Sequence, residues 1–344
     1  MVAGSESLVC VVVLNWNGWE HTIQCLESLL AATYRNCAVV VVDNGSHDES
    51  VAQLRSWFQR HSDGGGIEAC PDANVGVAAT GANERISEFR GSGGPTPRFT
   101  LLEIDRNLGF AAGVNIGAHH AIAQNADYVW LLNNDAVVSP DTLGALVRCA
   151  KEDRLDVVGS LVCEELEPMR VEFARGRLPW DLFGLSQGRT QVSPSEASWR
   201  SDWVTFASVL IARKPIAERL ESQGYFLDPG LFMYVEDVDF CFYCMKAGYA
   251  VGVSSAAPVL HRRSSSSGGA GSPRVYYYIT RNRIAVARRW LGPVGYAVFL
   301  GCYCVTRLVL LARHLLNRRF TVSRAVIQAL ADGLQGRVGI WRHH

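Results

Sequence analysis

The sequence predicts an α/β protein with a mostly parallel central sheet and helices on both faces. Three observations carry this expectation. Continuous apolar runs recur at residues 8–14 (LVCVVVL), 38–42 (AVVVV), 99–104 and 127–132 (DYVWLL), and helix-spaced segments separate most of them. Strands that are apolar throughout and alternate with helices belong to parallel sheets covered on both sides. Of the 344 residues, 48% are hydrophobic and 19% charged, a balance that argues against disorder and allows a large core without staples. Ten cysteines in a chain of this length exclude a disulfide scaffold.

Taken in order, 8–14 is a buried strand, Asn15–Gly18 a turn, and 19–32 a helix with Ile23, Leu26, Leu29 and Leu30 on one face. The second strand ends at Asp43 and a helix follows at about 48–59. Residues 61–98 are rich in Gly, Pro and small polar residues and read as a loop-rich insertion. A third strand at 99–104, a helix at 110–125 and a fourth strand at 127–132 come next. Residues 178–201 are irregular, 203–212 is a strand, 236–247 a helix and 249–253 a short strand. Residues 1–262 are thus expected to form the main α/β domain, 263–274 a flexible linker, and 275–344 a basic helical region.

Ligands of such sheets bind beyond the carboxyl ends of the strands, where Asn15, Asp43, Asn107 and Asn133–Asp135 fall. In VVDNGSHD (41–48), Asp43 at a strand end suits contact with a base or ribose, and the same residues also suit a turn with a helix cap. In RNLGFAAGVNIG (106–117), the glycines suit either backbone approach to an anion or close helix packing. Asn133-Asn134-Asp135 offers a carboxylate on a tight turn, suited to a hard divalent cation that also holds a diphosphate. FMYVEDVD (232–239) sets three acids against an apolar stretch, where burial is costly without a task. His261, beyond the strand at 249–253, suits either a structural role or a return by strand and turn beside this acidic cluster as a ligand. The Cys241/Cys244 pair lies in a helical pattern with no second pair, which reads as packing.

Jointly, these motifs resemble the family 2 glycosyltransferases of GT-A fold, in particular bacterial rhamnosyltransferase-like polysaccharide enzymes. The matching segments are VVLNWNG (12–18), VVDNGSHD (41–48), RNLGFAAGVNIG (106–117), VWLLNNDAVV (129–138), FMYVEDVDFCFYCMKAGY (232–249), His261 and YYYITRN (276–282). The resemblance implies that Asn15 and Asp43 contact the nucleoside, and that Asn107, Gly109, Asn115 and Asn134 line the nucleotide pocket. It implies that Asp135 and His261 hold Mg²⁺ or Mn²⁺, and that Asp237 is the general base with Glu236 beside it. Asn133 replaces the first Asp of the family's Asp-x-Asp motif, which lowers the negative charge there. The implied reaction is inverting transfer of one sugar from dTDP-rhamnose or a UDP-sugar to a hydroxyl of a glycan or lipid-linked acceptor. Processive synthases carry Gln-x-x-Arg-Trp; here Arg289-Trp290 is present but Val286 stands at the Gln position. The rival functions are an inactive nucleotide-sugar binding protein and a sugar nucleotidyltransferase, whose basic Gly-rich loop after the first strand is not found.

The net charge is zero, yet residues 262–344 hold fourteen Arg and a single acid, Asp332. Within this region, 294–312 is apolar except for Arg307 and approaches the length of a membrane span, about 20 residues. A mid-segment Arg costs about 2.5–3.5 kcal/mol in a bilayer. The expected partner is therefore an anionic membrane surface, with no nucleic acid, although a span and a buried helix remain alternatives. No basic segment precedes the apolar run at 8–14, so no secretory signal is expected. Scattered cysteines in apolar runs fit a reducing cytoplasm, with the protein peripheral on the inner face of the membrane.

Overall fold

The computed structural model describes residues 6–61, 68–70, 84–89, 98–165, 167, 170–183, 197–262 and 271–342. In strand β1 (Val9–Asn15), Val9, Val11 and Val13 enter one core while Cys10 and Val12 enter another. Side chains alternate across a strand, so a run apolar at every position is one covered on both faces. Helix α1 (Trp19–Leu30), strand β2 (Cys37–Asn44) and helix α2 (Ser50–His61) follow. Strands β3 (Glu68–Cys70), β4 (Glu84–Phe89) and β5 (Arg98–Ile104) lead into helix α3 (Phe110–Ala123). Then come β6 (Tyr128–Asn133), β7 (Ala136–Val138), α4 (Thr142–Glu152), β8 (Val157–Glu164), β9 (Val171–Phe173), β10 (Ser198–Arg200) and β11 (Ser208–Ala212). Helices α5 (Arg213–Gln223) and α6 (Glu236–Ala247), strand β12 (Val251–His261), and helices α7 (Pro273–Trp290), α8 (Pro293–Leu316) and α9 (Phe320–Gln335) complete the chain.

Among the described residues, twelve strands make one sheet in the order β10-β12-β8-β11-β6-β1-β2-β5-β4-β3, with β7 on β12 and β9 on β8. The parallel order read from the sequence runs through β6, β1, β2 and β5. Beyond β6 the sheet is mixed, because β11 runs antiparallel to both β6 and β8. Helices α1, α2 and α4 cover one face; α3, α6 and α7 cover the other.

Three readings need correction. The 61–98 segment is not wholly loop: β4 pairs antiparallel with β5, and β3 with β4, extending the sheet edge. Gly- and Pro-rich flanks hid these short strands; the remainder of the segment, 62–67, 71–83 and 90–97, lies outside the described residues. The strand expected at 203–212 begins only at Ser208. The short strand expected at 249–253 runs on to His261. The ladder with β8 accommodates Pro258 through a register shift between Ser254 and Pro258.

The C-terminal helices share the core of the preceding chain. Ile284, Val286 and Ala287 of α7 and Phe299 and Tyr303 of α8 belong to the cluster that also contains α3 and α6 residues. Most of the expected linker, 263–270, lies outside the described residues. Cys241 and Cys244 are buried free thiols in this core, as packing residues would be.

Candidate active site

Strand register gathers the polar residues. Asn15 pairs in register with Asp43, and Leu14 with Asn133, so the apolar strands end together and their polar terminal residues share one edge. Asn15 Nδ2 donates to Asp43 Oδ2 at 2.7 Å, and Thr22 Oγ1 donates to Asn15 Oδ1 at 2.7 Å. The Ser46 amide and hydroxyl donate to Asp43 at 3.0 and 2.7 Å, closing the turn after β2. Asn134 Nδ2 donates to Thr22 Oγ1 at 3.0 Å. Asn15, Asp43 and Asn134 thus form one buried network that fixes the start of α1 against the ends of β1, β2 and β6.

Asn107 and Gly109 open α3. Asn107 Oδ1 accepts from the Gly109 amide at 2.8 Å. Gly109 has φ +89°, and a Cβ there would lie 2.5 Å from the Phe232 carbonyl oxygen. Glycine at this position therefore permits close approach to the segment before α6. Asn115 clasps Leu227 through both ends of its amide, Nδ2 to the carbonyl and the Leu227 amide to Oδ1, each 2.7 Å. Both ends of its amide thus engage that backbone and hold the chain ahead of α6.

His261 is the last residue of β12 and pairs in register with Ala136, which brings its ring beside Asp135. Nε2 lies 3.1 Å from Asp135 Oδ1, and Nδ1 lies 2.9 Å from Glu172 Oε2. Burial opposes charge on His261, but hydrogen bonds to the two carboxylates push its pKa up to about 10. Burial likewise opposes charge on Asp135, yet His261 holds its carboxyl below the ordinary value. Asn133 Nδ2, in the place of the missing first acid, is 3.3 Å from His261 Nε2. Sequence reasoning missed Glu172, which lies on short β9 and meets His261 only because β9 and β12 both pair with β8.

Helix α6 begins at the acids, as read from the sequence. Burial and the charge of Asp237 push Glu236 well above the usual carboxylate range, and its Oε2 has no hydrogen-bond partner. Asp237 is half-buried. Desolvation raises its pKa to about 6, while the amides of Val238 and Phe206 and the charge of Arg283 pull it back. Ala207, next to Phe206, accepts from the Asn133 amide at 2.9 Å, which ties this carboxylate to the end of β6. Asp239 is wholly buried, paired with Arg219, and accepts from Arg289 Nη1 and Trp290 Nε1, each at 2.8 Å. Arg289-Trp290 is therefore an anchor for α6.

The turn into α6 is strained. Phe232, Tyr234 and Val235 have φ of +64°, +66° and +71°, a region that β-branched residues rarely adopt. Asn282 of α7 holds it: Nδ2 donates to the carbonyls of Leu231, Met233 and Tyr234 at 2.9, 2.8 and 2.7 Å. Arg281 Nη2 donates to the Leu231 carbonyl at 2.9 Å. The sequence marked this Arg-Asn pair as a motif without a role; the role is support of the turn that aims Glu236 and Asp237.

The model of glycosyl transferase family 2 matches residues 10–79 and 82–186, just over half of the chain. This chain belongs to glycosyl transferase family 2. Galactofuranosyltransferase GlfT1 of Mycolicibacterium smegmatis is 30% identical over 172 residues, 49% of this chain and 55% of that protein. The protein of the same name from Mycobacterium tuberculosis is 40% identical over 83 residues, 24% of this chain and 27% of the relative. The matches thus span about half or less of these relatives' length. Among solved structures, the mannosyltransferase PcManGT from Pyrobaculum calidifontis, in complex with GDP-Man and Mn²⁺, superposes with a TM-score of 0.56 at 17% identity, covering 97% of this chain and 88% of that one. GalNAc-T7 with UDP, GalNAc and Mn²⁺ gives a TM-score of 0.57 at 16% identity, covering 86% of this chain and 49% of that one. These likenesses show the fold, GT-A, and it is the fold read from the sequence.

Proposed function

We propose that this family 2 member is an inverting glycosyltransferase that moves one sugar from a nucleotide-diphosphate donor to a hydroxyl acceptor, with Asp237 as general base. The observation that carries the proposal is the pairing of Asp135 with His261 at 3.1 Å beyond the end of β6, with Asp237 tied to the same strand end. The donor set fits a divalent cation that takes the place of the proton shared by His261 Nε2 and Asp135, since the imidazole must be neutral to ligate. A carboxylate and an imidazole face each other, and Glu172 orients the imidazole from behind. Among the described residues no cluster of three or more potential ligands is present, so a diphosphate and water would complete such a site. Asp135 and His261 would hold Mg²⁺ or Mn²⁺; when bound, the cation supplies positive charge to the departing diphosphate. The solved relatives carrying Mn²⁺ support this reading.

Asp237 supplies the acceptor side. A carboxylate with a pKa near 6 is ionised at neutral pH and basic enough to take the hydroxyl proton as the bond to the sugar forms. Burial and the charge of Asp237 push Glu236 towards its neutral form, which favours placing the negative charge on Asp237. The buried Asn15–Asp43 network at the ends of β1 and β2 is placed to receive the nucleoside. The dTDP-rhamnose and UDP-sugar donors, and glycan or lipid-linked acceptors, belong to this proposal.

The test is incubation of the full chain with a panel of dTDP- and UDP-sugars, with Mn²⁺ or Mg²⁺, reading nucleotide release and sugar transfer. Metal-dependent turnover of one donor supports the reading. A folded protein that binds a donor but turns none over, with any metal, is an inactive binder instead.

Association with an anionic membrane is also proposed, with the protein on the cytoplasmic face. Among the described residues α8 is the one helix long and apolar enough to cross a bilayer. Arg307 is turned inward, so Val305, Leu308 and Val309 form an uncharged outer face. Exposed arginines at 313, 318 and 319 follow it. Such a face fits the interfacial plane of a membrane.

A further inference from the structure

The facing sides of α7 and α8 carry a row of polar groups that the proposed mechanism does not use. Tyr276, Thr280 and Arg283 recur at helical spacing on α7; Tyr303, Arg307 and His314 do so on α8. The rings of Tyr276 and His314 meet edge to face at 4.9 Å. The Arg307 guanidinium lies over the Tyr303 ring at 4.7 Å. Several polar ends along this seam lack a partner. Thr280 Oγ1, Tyr303 Oη, Arg307 Nε and both ring nitrogens of His314 are buried with no hydrogen bond. Arg307 is only 9% exposed. Buried polar groups in folded proteins are ordinarily satisfied, so a group of unsatisfied ones that includes the Arg307 Nε donor marks a place for a hydrogen-bonding partner that the chain does not supply.

The charge points the same way. Among the described residues, no carboxylate forms an ion pair with Arg283 or Arg307. The neighbouring α7 arginines, by contrast, are engaged: Arg281 with backbone carbonyls and Arg289 with Asp228 and Asp239. Arg283 is close enough to both Asp237 and Arg307 for its charge to be felt by each. Arg283, within reach of the base, and Arg307, within reach of Arg283, cost desolvation and mutual repulsion unless an anion joins them. Guanidinium forks match phosphate oxygens in geometry and charge.

We propose that Arg283 and Arg307 form an anion-binding subsite on the acceptor side of Asp237, which takes a phosphate or diphosphate group carried by the acceptor. This rests on the reading of Asp237 as the base and extends it to the acceptor's chemistry. One helix supplies both halves of the recognition: α8 turns Arg307 inward and presents Val305, Leu308 and Val309 outward. That division suits an acceptor with an anionic head and an apolar tail.

The probe is inorganic pyrophosphate, titrated calorimetrically into the full chain in chelator-containing buffer, so that no cation recruits it beside Asp135. Saturable binding is expected, weakened about tenfold or more by Arg307→Met and by Arg283→Gln. Arg307→Lys, which keeps the charge, should recover part of it. Arg283 is half-buried, so its variant serves should Arg307→Met fail to fold. Equal binding by the wild type and both variants, or none by the wild type, overturns the proposal. Farnesyl diphosphate distinguishes the sources. Binding tighter than pyrophosphate assigns the phosphate to a lipid-linked acceptor, and equal binding to a water-soluble phosphorylated glycan. The titration uses neither donor nor turnover, so an absence of glycosyl transfer would defeat the proposed function and leave this result standing.

Discussion

Asp237 and Asp239 stand two residues apart at the start of α6 and meet opposite surroundings. Asp239 is sealed in the core by Arg219, Arg289 and Trp290. Asp237 is half-buried, accepts from the adjacent Val238 amide at 2.7 Å, and has no ion pair among the described residues. One acid is structural and the other is free to take a proton. Asp239→Ala leaves Arg219 buried and uncompensated and should cost about 3–5 kcal/mol, read as a lowered midpoint in urea. Asp237→Asn should unfold like wild type and still bind donor, but lose about 10²–10⁴-fold in transfer. Near-normal turnover by Asp237→Asn would remove it from the mechanism.

The pH profile follows from the same residue. A base must be ionised, and burial places the Asp237 pKa at about 6, so transfer should fall as the pH drops through that value. The charge of Arg283 lowers this pKa. Arg283→Gln should therefore move the acid limb to higher pH. An unmoved limb would mean that Arg283 does not act on the base.

Apolar runs ending in polar residues made the strand-end positions of Asn15, Asp43 and Asn133 legible, because parallel strands bury both faces and stop at the ligand edge. The place of His261 beside Asp135 came from the resemblance and not from local pattern, because a register shift between Ser254 and Pro258 carries β12 past the end read at 253. Glu172 gave no local signal, since its meaning comes from a partner 89 residues away. Asn107 and Asn115 have partners that the pattern does not announce. Both stand in a Gly-rich motif that suits a ligand, yet the amide of Asn115 serves the backbone at Leu227 and Asn107 caps Gly109. The same holds for Arg289-Trp290, whose shared partner Asp239 appears only once α7 is laid on α6.

Asn282 should act on catalysis from a distance. Its amide binds three carbonyls of a turn with positive φ at Phe232, Tyr234 and Val235. Asn282→Ala releases that turn and removes a donor from the Met233 carbonyl, at about 1–3 kcal/mol for an unsatisfied group, while the Leu231 carbonyl keeps Arg281. We expect a fall in kcat with little change in donor KM, and faster hydrogen exchange at residues 232–236. Unchanged exchange would show that the turn does not need the clamp.

Glu172 gives a test of the cation site that leaves Asp135 and His261 in place. A carboxylate behind a ligating imidazole typically contributes 10–100-fold to metal affinity, about the loss expected for Glu172→Gln in a Mn²⁺ titration. Chelator should abolish donor turnover in the wild type. Full activity in chelator, or Mn²⁺ affinity unaffected by Glu172→Gln, would mark the enzyme as independent of the cation and give the replacement of the first acid by Asn133 a functional meaning.

The outer face of α8 decides the membrane proposal. Leu308 and Val309 are 64% and 67% exposed, with Val305 at 61% beside them. Apolar burial of such side chains is indifferent to salt, whereas the attraction of arginines to anionic lipid, about 1 kcal/mol each, is screened by it. The full chain should therefore sediment with phosphatidylglycerol vesicles at low salt, and moderate salt should release only part of it. Leu308→Glu with Val309→Glu should make the remainder salt-labile, since it removes the apolar contribution and leaves the charges. The inward position of Arg307 distinguishes surface attachment from a span, because a spanning α8 would have to carry that arginine across the bilayer or leave its seat against Tyr303. Alkaline carbonate should accordingly extract the wild type from membranes, whereas resistance to carbonate would establish a span. Failure to bind anionic vesicles at low salt would leave α8 without a lipid partner.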